Sequence, residues 1–302
     1  MAGDKLYRYM PRSNAEALHG GRYSPVSERF AFIIFPLNQK VTQKEDLLYE
    51  EAQIALANHD GSALQIVTSS KGLKLNPAIS YDEKILVFSK GSMSDGGSPL
   101  KSQKSRVIRN DLFSVDIRNG AETRLTRMGY YGLWNTHIMP DGKTAVFMGD
   151  SPMNLPNGPR ADDEVLQKGR NKIVKTALDG SNLDKEPEPF FLFDGGTNMP
   201  AVAKDGSIWF KGTLEIQNFI HYYLRRPDGT LKEIDDKLLG EGREGKSLIV
   251  LREMTVTPDG SRLMTLTINQ DTGQRFIGIL DTKTNKYSKV KLPTVAENIM
   301  IR

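Results

Sequence analysis

Short apolar runs, bounded by Asp, Asn, Gly and Pro, recur along the whole chain. Phe30-Ala31-Phe32-Ile33-Ile34-Phe35 is the densest, and Ile85-Leu86-Val87-Phe88, Ala145-Val146-Phe147, Ile208-Trp209-Phe210 and Leu263-Met264-Thr265-Leu266 follow it. Runs this short, rich in β-branched and aromatic residues, predict strands rather than helices. Asp-Gly pairs punctuate them, at Asp60, Asp95, Asp141, Asp179, Asp194, Asp205, Asp228 and Asp259. A type I′ hairpin needs positive φ at both central residues, so these pairs predict tight turns between antiparallel strands. The one segment that reads as helical is 43–52, where Glu45, Asp46, Glu50 and Glu51 suit the opening of a short turn.

Several turns share a longer frame. Asn135-Thr136-His137-Ile138-Met139-Pro140-Asp141-Gly142 precedes Ala145-Val146-Phe147. Met199-Pro200-Ala201-Val202-Ala203-Lys204-Asp205-Gly206 and Glu253-Met254-Thr255-Val256-Thr257-Pro258-Asp259-Gly260 occupy the same place before their own runs. Asn76-Pro77-Ala78-Ile79-Ser80-Tyr81-Asp82-Glu83 keeps the frame without the glycine. Tyr23-Ser24-Pro25-Val26-Ser27-Glu28 is a weaker copy, aligned on Glu28. The frame returns at intervals of roughly 54 to 64 residues, the signature of one repeated supersecondary unit.

Each unit has a second half. In the second it is Asp111-Leu112-Phe113-Ser114-Val115, a turn at Arg118-Asn119-Gly120, then Thr123-Arg124-Leu125-Thr126. Similar pairs occur at 53–67, 173–180, 220–230 and 276–290. Four antiparallel strands per unit make a propeller blade, and blades must pack around an axis to bury both faces. Pro77 to Phe88, followed by a strand, Asn119-Gly120 and Arg124-Leu125-Thr126, resembles the TolB-like, WD40-like (PD40) repeat. That resemblance covers most of the chain. It implies an all-β propeller of four-stranded blades and, by analogy with TolB, a protein- or peptide-binding scaffold of the cell envelope or periplasm. The repeat also occurs in peptidase propellers and sugar-acid lyases, so fold alone does not choose a function.

The ends look like parts of one further blade. Lys5 to Met10 and Ala15 to Gly20 read as a second half, and Ala296 to Ile301 as a beginning. Six blades closed by the termini are therefore expected, with five as the alternative, in a single domain over 1–302.

Composition narrows the chemistry. The chain has no cysteine, which excludes disulfides, thiolate metal sites and a Cys nucleophile. The net charge of +4 is dispersed, and the densest basic run, Lys101 to Arg109, is broken by Ser and Gln, so no nucleic-acid partner is expected. No apolar run is long enough to cross a membrane, and Met1 to Lys5 carries no apolar signal core. Nucleophile elbow, phosphate loop and dinucleotide fingerprint are missing, so no catalytic residue, metal or cofactor is assigned, and a monomer is expected. Asp162-Asp163-Glu164 lies in the longest insertion, Gly149 to Lys172, and reads as a solvated loop. A second insertion runs from Gly91 to Arg106.

Aligned on the turn, three columns emerge. Val26, Ile79, Ile138, Val202 and Val256 predict a column buried between blades. Ser24, Ala78, His137, Ala201 and Thr255 are small except for His137. Arg22, Asn76, Asn135, Met199 and Glu253 are mostly polar. Equivalent residues of a ring share height and radius, so Arg22, Asn76, Asn135, His137 and Glu253 are the candidate ligand-binding set at the channel mouth. The alternative function is a lyase or lactone-type hydrolase acting there on a small polar or sugar-acid substrate.

Overall fold

The computed structural model describes residues 16–24, 26–36, 49–94, 107–152, 172–191, 196–213 and 220–292. The first blade is β1 (Glu16–Tyr23), β2 (Arg29–Pro36), β3 (Gln53–Asn58) and β4 (Gln65–Ile66). The second is β5 (Leu73–Ile79), β6 (Ile85–Ser94), β7 (Val107–Asp116) and β8 (Glu122–Arg124), and the third is β9 (Tyr130–Ile138), β10 (Thr144–Pro152), β11 (Lys172–Ala177) and β12 (Glu188–Pro189). The fourth is β13 (Gly196–Val202), β14 (Ile208–Thr213), β15 (Ile220–Arg225) and β16 (Leu231–Ile234). The fifth has an added strand: β17 (Gly242–Glu244), β18 (Ser247–Val256), β19 (Arg262–Asn269), β20 (Arg275–Asp281) and β21 (Tyr287–Lys291). Strands pair antiparallel in chain order within each blade, and one bridge, Asn110 to Tyr130, joins the second sheet to the third.

The molecule is thus an all-β propeller, with five blades rather than six among the described residues. The segments assigned to a sixth blade, Lys5 to Met10 and Ile299 to Ile301, lie outside them. So do Asp162, Asp163 and Glu164, and Lys101 to Arg106. Helix is confined to two 3₁₀ turns among the described residues, Tyr49–Glu51 and Asp236–Leu239. The first falls at the end of the 43–52 segment.

Burial on both faces explains why second strands are unbroken apolar runs rather than alternating ones. Leu86 and Phe88 of β6 face Ile54 and Leu56 of the first blade, while Val87 faces Leu133 and Phe147 of the third. Ile173 and Val146 meet Ile208, Phe210 and Tyr223, and Trp209 and Tyr222 meet Leu251, Met254 and Leu263.

The turns after the innermost strands differ from the expected type I′. Only the residue after the aspartate is left-handed, at Gly142 (φ 64), Gly206 (φ 85) and Gly260 (φ 70), and at Glu83 (φ 54) where the second blade lacks the glycine. The aspartate instead caps the loop: Asp141 Oδ1 accepts from Lys143 N at 2.8 Å and Thr144 N at 3.0 Å. A four-residue loop closed by Met139 N to Thr144 O (2.8 Å) needs only one left-handed residue.

The same closing bond corrects the alignment of the first blade. It runs from Ser80 to Ile85, Met139 to Thr144, Ala203 to Ser207, Thr257 to Arg262, and in the first blade Ser24 to Arg29. Ser24 is therefore the equivalent of Ser80, and Val26, not Glu28, stands in the aspartate position. This displaces the first blade by two residues. Val26 is consequently 52% exposed in the turn, against the expected burial, whereas Ile79, Ile138 and Val202 are buried.

Candidate functional site

Every innermost strand carries a β-bulge. Register slips between His19 and Gly21, Leu75 and Ala78, Asn198 and Ala201, and Leu251 and Glu253, and β9 slips opposite Val146 and Met148. Asn76 (φ 54), Asn135 (φ 50) and Met199 (φ 52) are left-handed there. Asparagine tolerates this conformation better than other non-glycine residues. The bulge thus accounts for two of the polar residues in the column without a ligand. Asn76 also has a bonding role. Its Nδ2 donates to Leu133 O at 2.9 Å, and Thr136 Oγ1 donates to Asn76 O, which stitches β5 to β9.

With the register corrected, Arg22 falls in the column of His137, and Gly20 takes its place beside Asn76 and Asn135. The column now reads Arg22, Ala78, His137, Ala201 and Thr255. Its small members leave room for the two large ones to meet across the axis. Arg22 reaches from the first blade to the third, where Nη1 donates to Thr136 O at 2.9 Å. Nη1 also lies 3.1 Å from His137 Nδ1 and 2.7 Å from Nε2. Nε2 is 2.7 Å from Pro200 O, a pure acceptor, so Nε2 carries the proton and donates it to the fourth blade. Nδ1 then accepts from Arg22, and the shorter Nη1 to Nε2 approach, between two donors, is a contact and not a hydrogen bond.

The electrostatics agree with a neutral imidazole. Burial, and then the adjacent Arg22 charge, hold the His137 pKa well below 6.5. Burial lowers Arg22 to about 10, opposed by the attraction of Glu253. Burial raises Glu253, opposed by Arg22. Glu253 nevertheless keeps an exposed side chain, so the surrounding wall limits its hydration without removing it. Arg22 and His137 are brought into contact, Glu253 acts on Arg22 through its charge, Asn76 joins through the Thr136 strand, and Asn135 occupies the bulge of β9.

His137 does not suit a metal. One ring nitrogen is protonated onto a carbonyl and the other faces a guanidinium, so neither lone pair is free. Among the described residues, no cluster of three or more His, Asp or Glu could hold an ion.

Two features escaped the sequence reading. Trp134 is 37% exposed on innermost strand β9, its benzo edge folded over Gly132, where an added Cβ would fall 1.7 Å from Cη2. The Gly-x-Trp spacing was the available signal. The second feature joins Ser70, Lys90 and Glu122. Lys90 Nζ is 2.6 Å from Ser70 Oγ, which resembles a nucleophile and its base. Lys90 also pairs with Glu122 Oε2 at 3.1 Å, and Ser70 Oγ donates to Glu122 at 2.6 Å. An ion-paired ammonium has no lone pair to offer, so the trio is a lock between blades. Lys74 beside it is fully buried, with Nζ donating to Ala52 O at 2.8 Å, and burial lowers its pKa to about 8.

Neither a family model nor a curated protein sequence matches the chain. Solved structures do. TolB from Acinetobacter baumannii superposes with a TM-score of 0.59 at 14% identity, over 92% of this chain and 55% of that one. This chain therefore spans little more than half of that TolB. Oligogalacturonate lyase from Vibrio parahaemolyticus gives 0.52 at 14% identity, over 91% and 78% of the two chains. The β-propeller domain of the Trilobed protease from Pyrococcus furiosus gives 0.51 at 12%, over 94% and 85%. Identities this low establish the fold alone.

Proposed function

Starting from a TolB-like propeller fold, we propose that this chain is a protein- or peptide-binding scaffold that works at the cell envelope or in the periplasm. The observation that carries the reading is the state of the channel. Arg22 crosses it, and both nitrogens of His137 are engaged by the protein itself, so the groups that would perform chemistry there serve to tie three blades together. Binding then belongs to the ends of the ring. Strands β6 and β10 end, and β7 and β11 begin, at the same end of their blades as the start of the innermost strands, and the sequence between them is long. Long connections on a rigid scaffold are the usual carriers of recognition. Trp134 and Glu253 supply an aromatic and an acidic contact on the innermost strands, and large aromatics dominate interface energetics.

The resemblance in fold to oligogalacturonate lyase keeps a channel enzyme acting on a sugar acid as the alternative. Affinity capture from the source cell, with wild-type and Trp134→Ala chains as paired baits, separates the two. A partner retained by the wild type and held at least about tenfold more weakly by Trp134→Ala supports the scaffold. Cleavage of oligogalacturonate by the purified chain, lost in His137→Gln, overturns it.

A further inference from the structure

The passage from the fourth blade to the fifth carries an insertion. After β16, Asp235 caps the 3₁₀ turn Asp236–Leu239 by accepting from Lys237 N at 2.9 Å, and the chain reverses through left-handed Gly240 (φ 76). Strand β17 then pairs with the start of β18, an addition that the other four blades lack among the described residues. Leu239 is fully buried and pins this excursion to the core between the blades. Tyr287 props it open. The phenol oxygen lies 1.9 Å from where a Cβ on Gly240 would be, and 2.5 Å from that of Gly278. Beneath the propped segment is a cavity of about 210 Å³, floored by Ile249, Thr267 and Phe276.

The charges around this cavity are unequal. Glu241 accepts the Tyr222 hydroxyl. Glu244 accepts from Lys289 Nζ at 2.7 Å, and the same ammonium lies 5.2 Å over the Phe276 ring. Lys289 therefore balances the charge of Glu244, while Glu241 keeps its charge and directs one oxygen at the Tyr222 hydroxyl, which leaves three cations against two acids around the cavity. Lys237 and Arg243 also line the cavity, and among the described residues neither side chain forms an ion pair or hydrogen bond. A cavity with an apolar aromatic floor and two uncommitted cations at its rim matches a small anion with a short carbon skeleton. Such an anion would replace water at the guanidinium with charge-assisted hydrogen bonds.

We propose that the cavity between the 235–246 insertion and the fifth blade is a binding site for a compact organic anion bearing a carboxylate or phosphate group, held by Arg243 and Lys237. The site uses neither Arg22 nor His137 of the channel, and it lies at the start of innermost strand β18, the same end of the ring as the partner surface proposed above but built from other residues.

Titration calorimetry of the full chain with succinate, and separately with inorganic phosphate, tests it. Saturable one-site binding of at least one probe is expected, and which of the two binds assigns the head group. Arg243→Ala and Lys237→Ala each weaken binding by about tenfold or more, the scale of a lost charged hydrogen bond. Both residues are on the surface, so thermal melts of the variants should match the wild type. Arg225→Ala, which removes a cation stacked on Phe190 and Phe191 in the fourth blade, leaves the affinity unchanged. Absence of saturation with both probes overturns the proposal, as does binding that survives Arg243→Ala and Lys237→Ala together.

Discussion

The passage from the second blade to the third and the passage from the fourth to the fifth perform the same task by different means. Each carries the chain from an outermost strand to the next innermost one. In the first, Leu125 is buried between blades and its N–H donates to Leu112 O at 2.8 Å. Thr126 Oγ1 accepts from Leu112 N at 2.9 Å and donates to Asp111 Oδ1 at 2.9 Å. Asp111 also takes Gly129 N at 3.1 Å and Arg124 Nη2 at 2.6 Å. The first blade repeats the central element, since Thr68 Oγ1 accepts from Ile54 N at 2.9 Å. The fourth blade ends in Ile234-Asp235 and has no such threonine. There the chain is held by Leu239 and by the Tyr287 prop instead, and a cavity remains. A hydroxyl that closes the last ladder bond keeps the connection short, and its replacement by an N-cap lets the connection grow.

The largest expected effect is at the first passage. Asp111→Ala strips partners from Arg124, Thr126 and Gly129 at a buried position, and should lower stability by about 3 kcal/mol. Denaturant midpoints of Asp111→Ala, Arg124→Ala and the double variant measure it. Additive losses would show that the aspartate and arginine act separately, against the geometry. Gly240→Ala should cost slightly less, about 2 to 3 kcal/mol, because a left-handed backbone and a displaced Tyr287 act together. A melt shifted by less than that of an ordinary surface change would mean that Tyr287 does not prop the insertion.

Thr126→Val isolates the hydroxyl. It keeps the shape but leaves Leu112 N–H without its acceptor, so a loss of about 1 to 2 kcal/mol is expected, with Thr126→Ser retaining most of the stability. The amide exchange of Leu112 provides the local readout. Unchanged protection of that amide in Thr126→Val would assign the stability of this passage to Leu125 packing alone.

These two passages also show what the sequence makes legible. Leu125-Thr126 has its counterpart in Val67-Thr68 because the apolar residue and the hydroxyl each have a fixed duty, and that pair marks the end of a blade. The strand runs of the second layer were equally plain, since burial on both faces admits little but apolar residues. Short fourth strands such as Glu188–Pro189 and Leu231–Ile234 carry exposed side chains, and no apolar pattern announces them. The insertion strand Gly242–Glu244 is polar for the same reason. In the channel, alignment on Glu28 sets Arg22 beside the asparagines, but Glu28 does not hold the turn position. The true turn of the first blade is capped by Ser24 Oγ, which accepts from Val26 N at 3.2 Å and Ser27 N at 3.3 Å. Polarity of the Asn76 and Asn135 column was legible, but its cause, a left-handed bulge, is a backbone property that residue type alone leaves ambiguous.

The smallest predicted effect concerns what both passages surround. His137 bridges the first blade, through Arg22, to the fourth, through Pro200 O, without using either passage. It is held neutral, with a folded-state pKa well below the ordinary 6.5. Between those two values the unfolded chain binds a proton that the folded chain refuses, so stability rises with pH across that window. The contribution is fully present above about pH 6.5 and is lost as pH falls toward the folded value. A single group of this kind removes roughly 1 kcal/mol between pH 6.5 and 5.5. His137→Gln keeps a side-chain N–H for Pro200 O and cannot titrate, so it should lose correspondingly less stability over the same interval. Comparing the two proteins at each pH cancels His19, His59 and His221, which both retain. If the loss from pH 6.5 to 5.5 is equal in the two proteins, His137 is not held neutral, and the assignment of Nδ1 as the acceptor from Arg22 fails with it. His137 shares no partner with Asp111 or Gly240, so the three substitutions should combine additively, and a triple variant whose loss departs from the sum would show that the channel tie and the passages are coupled.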